Sequence, residues 1–428
     1  MIDFIQINKL FNIQKGSLQS TKCTEGEYDF ITASSEWKTH NKYTHDQEAL
    51  IVAVSASGSL GRVHYVNGQF ISSDLCFILT PKSKEFPVDL SFYYYIFRSI
   101  RDDLVKSTAT GTSKLAINKT NFGNYKLPYV DITKQRDYKS KLINVAERKA
   151  KLRKSNEIQL NIIQTLRQQI LQDAITGKLS EEWRKENPDV ESAKILLEKI
   201  KTEKEELVKE GKNKKPKSLP PILKDEITFE LPTGWVWCRL GEITNIVRGG
   251  SPRPAGDPTY YNGNIPFLKV ADLTKDNQKY LYEHTYTIKK AGLYKTRLVP
   301  SMTLMLTNSG ATLGVPKICT FETTFNDGIA AFINLSNYLF AEYLYYFLLS
   351  KTSWFLDEAS RGQGQPNLNT DIIGDTIFPL TSIEEQKFIV GRIESLFTKL
   401  DRIKELNIDN QNSINLLNQI VLKEMFEK

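Results

Sequence analysis

Residues 111–136 read GTSKLAINKTNFGNYKLPYVDITKQR, and residues 362–387 read GQGQPNLNTDIIGDTIFPLTSIEEQK. The two stretches align without a gap at a constant separation of 251 positions, for example 386 minus 135. A period of this length is too long for a solenoid, whose units are about 20–50 residues. The sequence therefore predicts two similar domains in one chain. The identical pairs are Gly111/Gly362, Asn118/Asn369, Gly123/Gly374, Pro128/Pro379 and Gln135/Gln386.

The same separation continues into a coiled-coil pattern. After Gln386, apolar residues recur at alternating spacings of three and four, which is typical of an a/d seam. The stretch 251 positions earlier repeats this seam. We expect two long helices, at roughly 134–178 and 384–426, that bury each other as an antiparallel coiled coil.

Polar residues interrupt both seams in the same two slots. Asn156 and Gln159 match Asn407 and Asn410. An antiparallel pairing centred on this layer puts Asn156 beside Asn410 and Gln159 beside Asn407, and buried Asn in such a layer fixes the register at a cost in stability. The alternative is that these amides face solvent where the coil splays. The same register pairs Ile163 with Ile403, Leu166 with Leu400, Leu152 with Ile414 and Val145 with Val421.

The beginnings of the two copies are less alike. Residues 10–16 resemble residues 243–249 at a separation of only 233, so the second globular unit is about 18 residues longer, the difference between 251 and 233. Both units carry short β-branched or aromatic runs between turn residues and then a helical pattern, at 90–105 and 339–355. The predicted fold class is α+β, with a shared frame and different middles. The predicted strands are 29–33, 49–54, 61–66 and 75–79, then 266–270, 302–307, 316–320 and 329–335.

Composition gives the predicted division of the chain. Gly211 to Pro221 is basic and contains prolines, which is typical of a mobile linker. The net charge of +7 equals the excess in 134–180, which has 11 basic and 4 acidic residues. Such a helix could lie along phosphate, face an acidic partner or be simply solvated. The predicted parts are a first domain 1–133, a central helix 134–180, a charged linker 181–230, a second domain 231–381 and a C-terminal helix 382–428.

The sequence offers little sign of catalysis. The turns at Gly58–Gly61 and Gly310–Gly314 lack the Lys-Ser/Thr of a phosphate loop. The four histidines lack metal-ligand spacing, and the four cysteines are isolated, so no metal site is expected. The apolar runs are too short to span a membrane, and no signal peptide pattern opens the sequence. We expect a cytoplasmic protein with reduced thiols.

The remaining candidates suit nucleic acid. Basic and amide side chains lie near Gly-rich turns in both copies, and Arg, Asn and Gln can read base edges while Lys mostly contacts phosphate. Each one alone is better explained as a plain surface charge, so the argument rests on the duplication. The candidate DNA-binding residues are Lys15, Arg62 and Lys114 in the first copy, and Arg248, Arg253, Lys269, Arg297, Arg361, Gln363 and Gln365 in the second.

Several motifs together resemble the specificity subunit of type I restriction-modification systems. They include Gly362-Gln-Gly-Gln-Pro-Asn-Leu-Asn369, Ile170 to Leu179 followed by Trp183-Arg184, and Leu231-Pro-Thr-Gly-Trp235. The resemblance covers nearly the whole chain. Two departures lie in the first copy, which lacks the Leu-Pro-x-Gly-Trp opening and has Lys114 and Leu115 in place of the Gly-Gln-x-Gln run.

The resemblance implies a non-catalytic chain with two target recognition domains that read different half-sites of a bipartite double-stranded DNA target. The long helices would be spacers that dock two methyltransferase subunits, with restriction/translocase subunits as further partners. S-adenosylmethionine, ATP and Mg²⁺ would bind to those partners, and no cofactor is expected in this chain. Asn118 and Asn369 are expected to cap helices rather than read bases. The alternatives are a coiled-coil scaffold that binds proteins without DNA specificity, and a self-contained endonuclease.

Overall fold

The structure is a computed structural model that describes residues 3–56, 58–111, 115–212, 218–360 and 367–426. The side chains of 358–360, 418, 419, 423 and 426 are outside this description. The chain divides into two compact units, Met1–Leu160 with Glu405–Lys428 and Asn161–Lys404. Each unit contains one globular domain and a stretch of both long helices. This division differs from the predicted one because each long helix contributes to both units.

The first domain is built from ten strands and four helices among the described residues. A 3₁₀ turn at Ser20–Lys22 is the remaining short element. The elements are β1 Asp3–Gln6, α1 Ile7–Leu10, β2 Phe11–Lys15, β3 Tyr28–Ile31, β4 Lys38–His40, β5 His45–Ala53, β6 Val63–Ser72, β7 Cys76–Pro81, α2 Leu90–Ser99, α3 Arg101–Thr108, β8 Ala109–Thr110, β9 Ala116–Ile117, α4 Lys119–Asn124 and β10 Lys126–Tyr129.

A six-stranded sheet in the order β2-β7-β5-β6-β3-β4 forms the centre of the first domain. Because side chains alternate across a strand, β5 supplies both faces: Leu50 and Val52 join the cluster that contains Tyr93 and Phe97 of α2, while Ile51 joins the cluster on the opposite face. The sheet is therefore covered on both faces, and β1 with β10 forms a separate two-stranded ribbon.

The first long helix and a connecting segment follow. The long helix is α5, Ile132–Ile175. After a 3₁₀ turn at Lys178–Ser180 come α6 Glu181–Glu186 and α7 Ala193–Lys209, and a further 3₁₀ turn lies at Lys224–Glu226. Helix α7 is amphipathic and buries one face, as described below.

The second domain repeats the frame with additions. A 3₁₀ helix lies at Lys290–Lys295. The elements are β11 Val236–Arg239, α8 Leu240–Ile243, β12 Asn245–Arg248, β13 Tyr261–Leu268, α9 Val270–Leu273, β14 Tyr280–Leu281, β15 Tyr286–Ile288, β16 Leu298–Val299, β17 Thr303–Thr307, β18 Pro316–Cys319, β19 Thr323–Phe325, β20 Ile329–Ile333, α10 Ala341–Ser350, α11 Thr352–Ser360, α12 Thr370–Asp375 and β21 Ile377–Leu380, and the second long helix is α13, Ile383–Phe426.

The strand orders show what the copies share. The order β12-β20-β17-β18 in the second domain repeats β2-β7-β5-β6 in the first, and the ribbon β11-β21 repeats β1-β10. Beyond this shared order a parallel strand follows in both main sheets, β3 beside β6 and β14 beside β18. The first domain then adds β4 to its main sheet, whereas the second has a separate four-stranded sheet, β15-β13-β19-β16. The predicted α+β class is confirmed, and the two domains differ in their middle strands.

The glutamine at each domain-to-helix junction makes the same hydrogen bonds in both copies. Gln135 Nε2 donates to the carbonyls of Pro87 and Val130 at 3.0 and 2.8 Å, and its Oε1 accepts from the Asp89 N–H at 2.8 Å. Gln386 repeats this pattern 251 positions later. Its Nε2 donates to Tyr338 and Thr381, and its Oε1 accepts from the Phe340 N–H.

Because both glutamines are fully buried, we expect Gln135→Ala and Gln386→Ala to be equally costly. Each change leaves one buried backbone N–H and two buried carbonyls without their hydrogen-bond partner. The free energy of unfolding should therefore fall by about 1–3 kcal/mol. Urea titration measures this, with the exposed neighbours Arg136→Ala and Lys387→Ala as controls that should stay within about 0.5 kcal/mol of the wild type. Markedly unequal losses would contradict an equivalent role.

In the first unit the two long helices run antiparallel. Leu142 shares a cluster with Met425, and Arg153 Nη2 donates to Asn415 Oδ1 at 2.9 Å. Asn156 Nδ2 donates to the carbonyl of Asn407 at 3.2 Å, and both residues are buried. In the second unit, Arg167 pairs with Asp401, and Leu171 and Ala174 share a cluster with Ile389 and Ile393.

The buried polar layer differs from the predicted one. Asn156 contacts Asn407 rather than being paired with Asn410, and both Gln159 and Asn410 are exposed. In a two-helix coiled coil, each core side chain packs into a space between several residues of the facing helix. Its hydrogen-bond partner can therefore be the core residue next to the one directly opposite. Several predicted seam residues are also exposed: Leu152 and Leu166 on the first helix and Ile403 on the second.

The connecting segment packs on the second domain. Ala193, Leu196, Leu197 and Ile200 of α7 are buried in its main cluster, and the carbonyls of Pro220 and Pro221 accept hydrogen bonds from Arg239. The predicted mobile linker is therefore wrong for residues 218–221, while residues 213–217 lie outside the described part. The predicted single helices at 90–105 and 339–355 are each two helices, with breaks at Ile100 and Lys351.

Candidate nucleic-acid interface

In the second domain, two predicted arginines meet at the loop Asn326–Gly328. Arg248, the last residue of β12, donates from Nε to the Asp327 carbonyl at 2.6 Å. Arg297 donates from Nε to the Arg248 carbonyl at 3.0 Å, and Ser251 Oγ donates to Asp327 Oδ1 at 2.9 Å. Both arginine side chains are exposed. Two exposed arginines are thus linked on the surface, because one donates to the backbone of the other.

Lys269 and Arg253 lie close to the same loops. Leu268 accepts the Asn326 N–H at 2.9 Å, which brings the start of Lys269 beside the 326–328 loop. The Lys269 ammonium lies 3.4 Å from the centre of the Tyr286 ring, a close cation–π contact. Arg253 is exposed, and its charge opposes the rise in the pKa of Tyr261 that burial causes.

The first domain presents its predicted residues differently. Lys15, the last residue of β2, is exposed in the slot equivalent to Arg248. Arg62 instead serves the fold: its Nη1 donates to the Ala33 carbonyl at 3.1 Å and to Ser59 Oγ at 3.3 Å. It also contributes, after burial, to lowering the pKa of His64. The first domain therefore does not reproduce the paired arginines of the second.

Four predicted residues lie outside the described part of the chain: Lys114, Arg361, Gln363 and Gln365. The two junction asparagines are helix caps as predicted. Asn118 Oδ1 accepts from the N–H groups of Thr120 and Asn121, and Asn369 Oδ1 accepts from that of Ile372. Because an N-cap oxygen is committed to the backbone, these amides cannot make the bidentate contact with adenine, which needs the amide oxygen as well as the nitrogen.

Sequence reasoning missed a second basic surface, in the first unit. A groove of about 1310 Å³ is lined by residues of the first domain and of both long helices. The one signal that pointed to it was the charge excess in 134–180, since Lys149 and Arg153 belong to this helix. Its cationic lining residues are Arg62, Arg98, Arg101, Lys126, Lys149 and Arg153.

These surfaces offer guanidinium and ammonium donors, which suit phosphates and guanine edges. Within the described residues, no three His, Cys, Asp or Glu side chains are grouped so as to hold a metal ion. No helix in that part of the chain has both the length and the apolar character needed to cross a membrane. The described surfaces are thus binding surfaces of basic character.

Comparison with known proteins decides the family. A model described as the type I restriction modification DNA specificity domain matches residues 2–161 and, a second time, residues 232–411. This chain belongs to that family. The two matches fall on the two copies found in the sequence, so each globular domain, with the start of the long helix that follows it, is one specificity domain.

The curated relatives are specificity subunits. The EcoAI and EcoEI subunits of type I restriction enzymes from Escherichia coli are 30% and 31% identical over 248 and 252 residues. Each match covers 56% of this chain and 41% of the relative, so less than half of either relative is spanned. The EcoDI subunit is 22% identical over 99% of this chain and 87% of its own length.

Solved structures share the fold of the specificity domains over nearly the whole chain. The HsdS subunit from Thermoanaerobacter tengcongensis aligns with a TM-score of 0.57 at 18% identity, covering 99% of this chain and 96% of that one. A structure described as the basis of complex assembly and conformational transition of the type I R-M system aligns with a TM-score of 0.67 at 17% identity, covering 99% and 97%.

Proposed function

We propose that this chain is the DNA specificity subunit of a type I restriction-modification complex, and that its two domains recognise the two halves of a bipartite duplex target. The observation that carries the proposal is the duplication: two specificity domains share one frame and differ in their middle strands. A shared frame with different middles fits one scaffold that reads two different half-sites.

The second domain has the better defined reading surface. Arg248 and Arg297 are exposed beside each other, and arginine pairs well with guanine edges and with phosphates. Each guanidinium donates to the backbone through Nε, and its terminal nitrogens make no hydrogen bond to any other described residue, so they would serve as donors to DNA. In the first domain Lys15 takes the slot of Arg248, and lysine contacts phosphate more than base edges. The two domains would therefore read different sequences.

The long helices are proposed to dock partner subunits. In the first unit, seven large apolar side chains on these helices are exposed, which is more than a two-helix coil in water needs. Such residues are suited to packing against further helices. They are Leu152, Ile158, Leu160, Leu406, Ile408, Leu416 and Ile420.

The expected partners are two methyltransferase subunits and the restriction/translocase subunits. On this proposal S-adenosylmethionine, ATP and Mg²⁺ bind to those partners, and this chain contributes no catalytic group. Cleavage of DNA by the purified chain alone with Mg²⁺ would contradict the non-catalytic part of the proposal.

The experiment that tests recognition is selection from random duplexes by the chain in complex with its methyltransferase. We expect enrichment of two short motifs at one fixed spacing, and loss of one motif when residues 1–133 are exchanged for another specificity domain. The matched exchange of residues 231–381 should change the other motif. Enrichment without a bipartite pattern, or a change of both motifs in either exchange, would contradict the modular assignment.

A second candidate is a protein-binding scaffold without DNA specificity. The exposed apolar residues on the long helices favour it, because they suit protein partners whatever the domains do. The same selection separates the candidates. A scaffold would assemble with the methyltransferase and enrich no motif at all.

A further inference from the structure

The groove in the first unit runs between the globular domain and the two long helices. Arg98 and Lys126 line it from the domain, Lys149 and Arg153 from α5, and Leu422 from α13. Six cationic side chains line it against two carboxylates, those of Asp102 and Asp103. The groove therefore carries an excess of positive charge on both walls.

Its cations outnumber the nearby carboxylates. No carboxylate in the described part of the chain forms an ion pair with Lys126, Lys149 or Arg153, and the Asp103 carboxylate already accepts from the Tyr125 hydroxyl at 2.6 Å. The pKa of Lys149 is lowered, first by its partial burial and then by the charges of Arg153 and Arg98, which outweigh the smaller opposing effect of Asp102. An anion placed here would relieve this like-charge repulsion.

A smaller aromatic chamber opens beside the groove. Its volume is about 380 Å³, and Trp37, Tyr65, Tyr94 and Tyr95 line it. The two tyrosines Tyr94 and Tyr95 also line the groove, so the chamber and the basic walls share a border. A ligand for this site would combine negative charge with an aromatic ring.

The second unit shows which side chains fill the same place. There Glu394 of α13 forms an ion pair with Lys279, whose ammonium also lies 4.6 Å from the centre of the Tyr280 ring. Phe397 lies one turn further on and packs edge-on against Tyr346, with 5.9 Å between the ring centres. The Arg167 guanidinium lies 4.5 Å from the centre of the Phe397 ring. A carboxylate and a benzene ring occupy this region in the second unit.

The first unit has small or apolar residues at the equivalent positions. Subtracting 251 from Glu394 and Phe397 gives Ile143 and Ala146. Ile143 lines the aromatic chamber, and Ala146 lines the groove. The first unit thus lacks the acid and the ring with which the second unit fills the site. It keeps the two tyrosines, since Tyr94 and Tyr95 stand 251 positions before Tyr345 and Tyr346.

We propose that this groove is a docking site for an acidic segment of a partner protein that carries an aromatic residue. The segment would supply the carboxylates and the ring that Glu394 and Phe397 supply in the second unit. Arg and Tyr are the most frequent residue types in the groove lining, and Trp37 lines the chamber beside it. These three residue types also dominate binding energy at protein interfaces. The proposal rests on the proposed function in one respect, that the chain works in a complex with other proteins.

Nucleic acid fits the groove less well. A duplex presents its phosphates on a convex surface, whereas these cations lie on the inner walls of a recess. A single strand could enter, but the groups that fill the second unit are a carboxylate and a phenyl ring, which are side chains of a protein. Nucleic acid is therefore an outcome of the test rather than the assignment.

The test is fluorescence anisotropy with the full chain and a short labelled peptide rich in glutamate with two phenylalanines. We expect saturable binding, loss of binding when lysine replaces every glutamate of the peptide, and weakening when alanine replaces its phenylalanines. A labelled single-stranded oligonucleotide of the same length is the competing probe. Tighter, groove-dependent binding of the oligonucleotide would overturn the assignment.

Variants of the chain locate the site. Lys149→Glu should weaken peptide binding about tenfold or more, since it reverses a charge inside the groove. Lys151→Glu is the matched control, because Lys151 is an exposed lysine on the same helix that does not line the groove. Equal effects of the two changes would overturn the proposal.

A filling variant gives an independent measurement. Ala146→Phe introduces the ring that the second unit has, and should weaken the peptide about tenfold while leaving the thermal midpoint unchanged or raised. Undiminished binding would place the peptide elsewhere. If the chain selects a bipartite duplex but does not bind the peptide, the docking role of the groove is refuted and the proposed DNA function stands. If the chain binds the peptide but selects no duplex, the proposed DNA function is refuted and the docking role stands.

Discussion

Replacing Glu385 with alanine is expected to lower the free energy of unfolding by about 3–5 kcal/mol, because it removes the acceptor at the centre of a buried network. Both carboxylate oxygens of Glu385 are engaged. Oε1 accepts from Ser180 Oγ and Arg184 Nη1, each at 2.7 Å, and Oε2 accepts from the Trp235 indole at 2.8 Å and from the Thr381 hydroxyl. Without it these donors stay buried and the Arg184 charge loses its partner.

The repeat supplies the matched control. Lys134 occupies the equivalent position 251 residues earlier, and it is exposed, with one loose contact to Asp131 at 3.7 Å. Lys134→Ala should therefore change the free energy of unfolding by no more than about 0.5 kcal/mol. Urea unfolding of both variants, monitored by circular dichroism, measures the difference. If Glu385→Ala lowers the free energy of unfolding by no more than Lys134→Ala does, the network contributes little to stability.

Arg239→Met should release the connecting segment from the second domain, at a cost of about 3 kcal/mol. The Arg239 side chain is 3% exposed. It donates to the carbonyls of Pro220 and Pro221 at 2.7 and 2.9 Å, to the Glu226 carboxylate at 3.0 and 2.9 Å, and to the carbonyl of Asp375. Methionine keeps the apolar volume but none of these bonds.

Limited proteolysis reports the release directly. Cleavage near 218–230 should be faster in Arg239→Met than in the wild type, while Gln6→Met, at the equivalent position 233 residues earlier, leaves that rate unchanged. Unaltered cleavage in Arg239→Met would mean that Leu219, which lies beside Gly241, and Phe229, whose ring meets that of Trp237 at 4.9 Å, hold the segment without the arginine.

The same pair predicts a pH dependence. Hydrogen bonds from Arg239 are the first cause that holds the pKa of Glu226 below its usual 4.5. A lowered folded-state pKa means that the pair contributes stability above pH 4.5 and loses it as the pH falls through the lowered value. The gap in stability between the wild type and Arg239→Met should therefore narrow in acid. A constant gap from neutral pH to pH 3 would contradict this origin.

The frame of the fold could be read from the sequence because its signals are local and repeated. The separation of 251 between Gln135 and Gln386 corresponds to identical hydrogen bonds in the structure. The separation of 233 corresponds to the equivalent strands β1 and β11, which pair with β10 and β21 respectively. Periodicity also located the long helices to within three residues at each end. These features depend on residues close in sequence, which a pattern can capture.

The missed features depend on residues far apart in sequence. From the sequence Arg62 resembled a surface charge. In the structure it donates to the carbonyl of Ala33, 29 positions away, and so stabilises the fold. Residues 218–221 looked mobile from composition, yet they pack because Arg239 reaches them. The groove combines residues from opposite ends of the chain, such as Lys126 and Leu422, so composition could reveal its charge and not its place.

The identical junction bonds of Gln135 and Gln386 have an evolutionary consequence. Each domain meets its helix through contacts that run mostly to backbone carbonyls and N–H groups, so they make no demand on the neighbouring side chains. A domain inherited from a related gene by recombination at this point would offer the junction glutamine the same backbone partners. New specificities could then arise by pairing old domains, and their number would grow as the square of the domains in circulation.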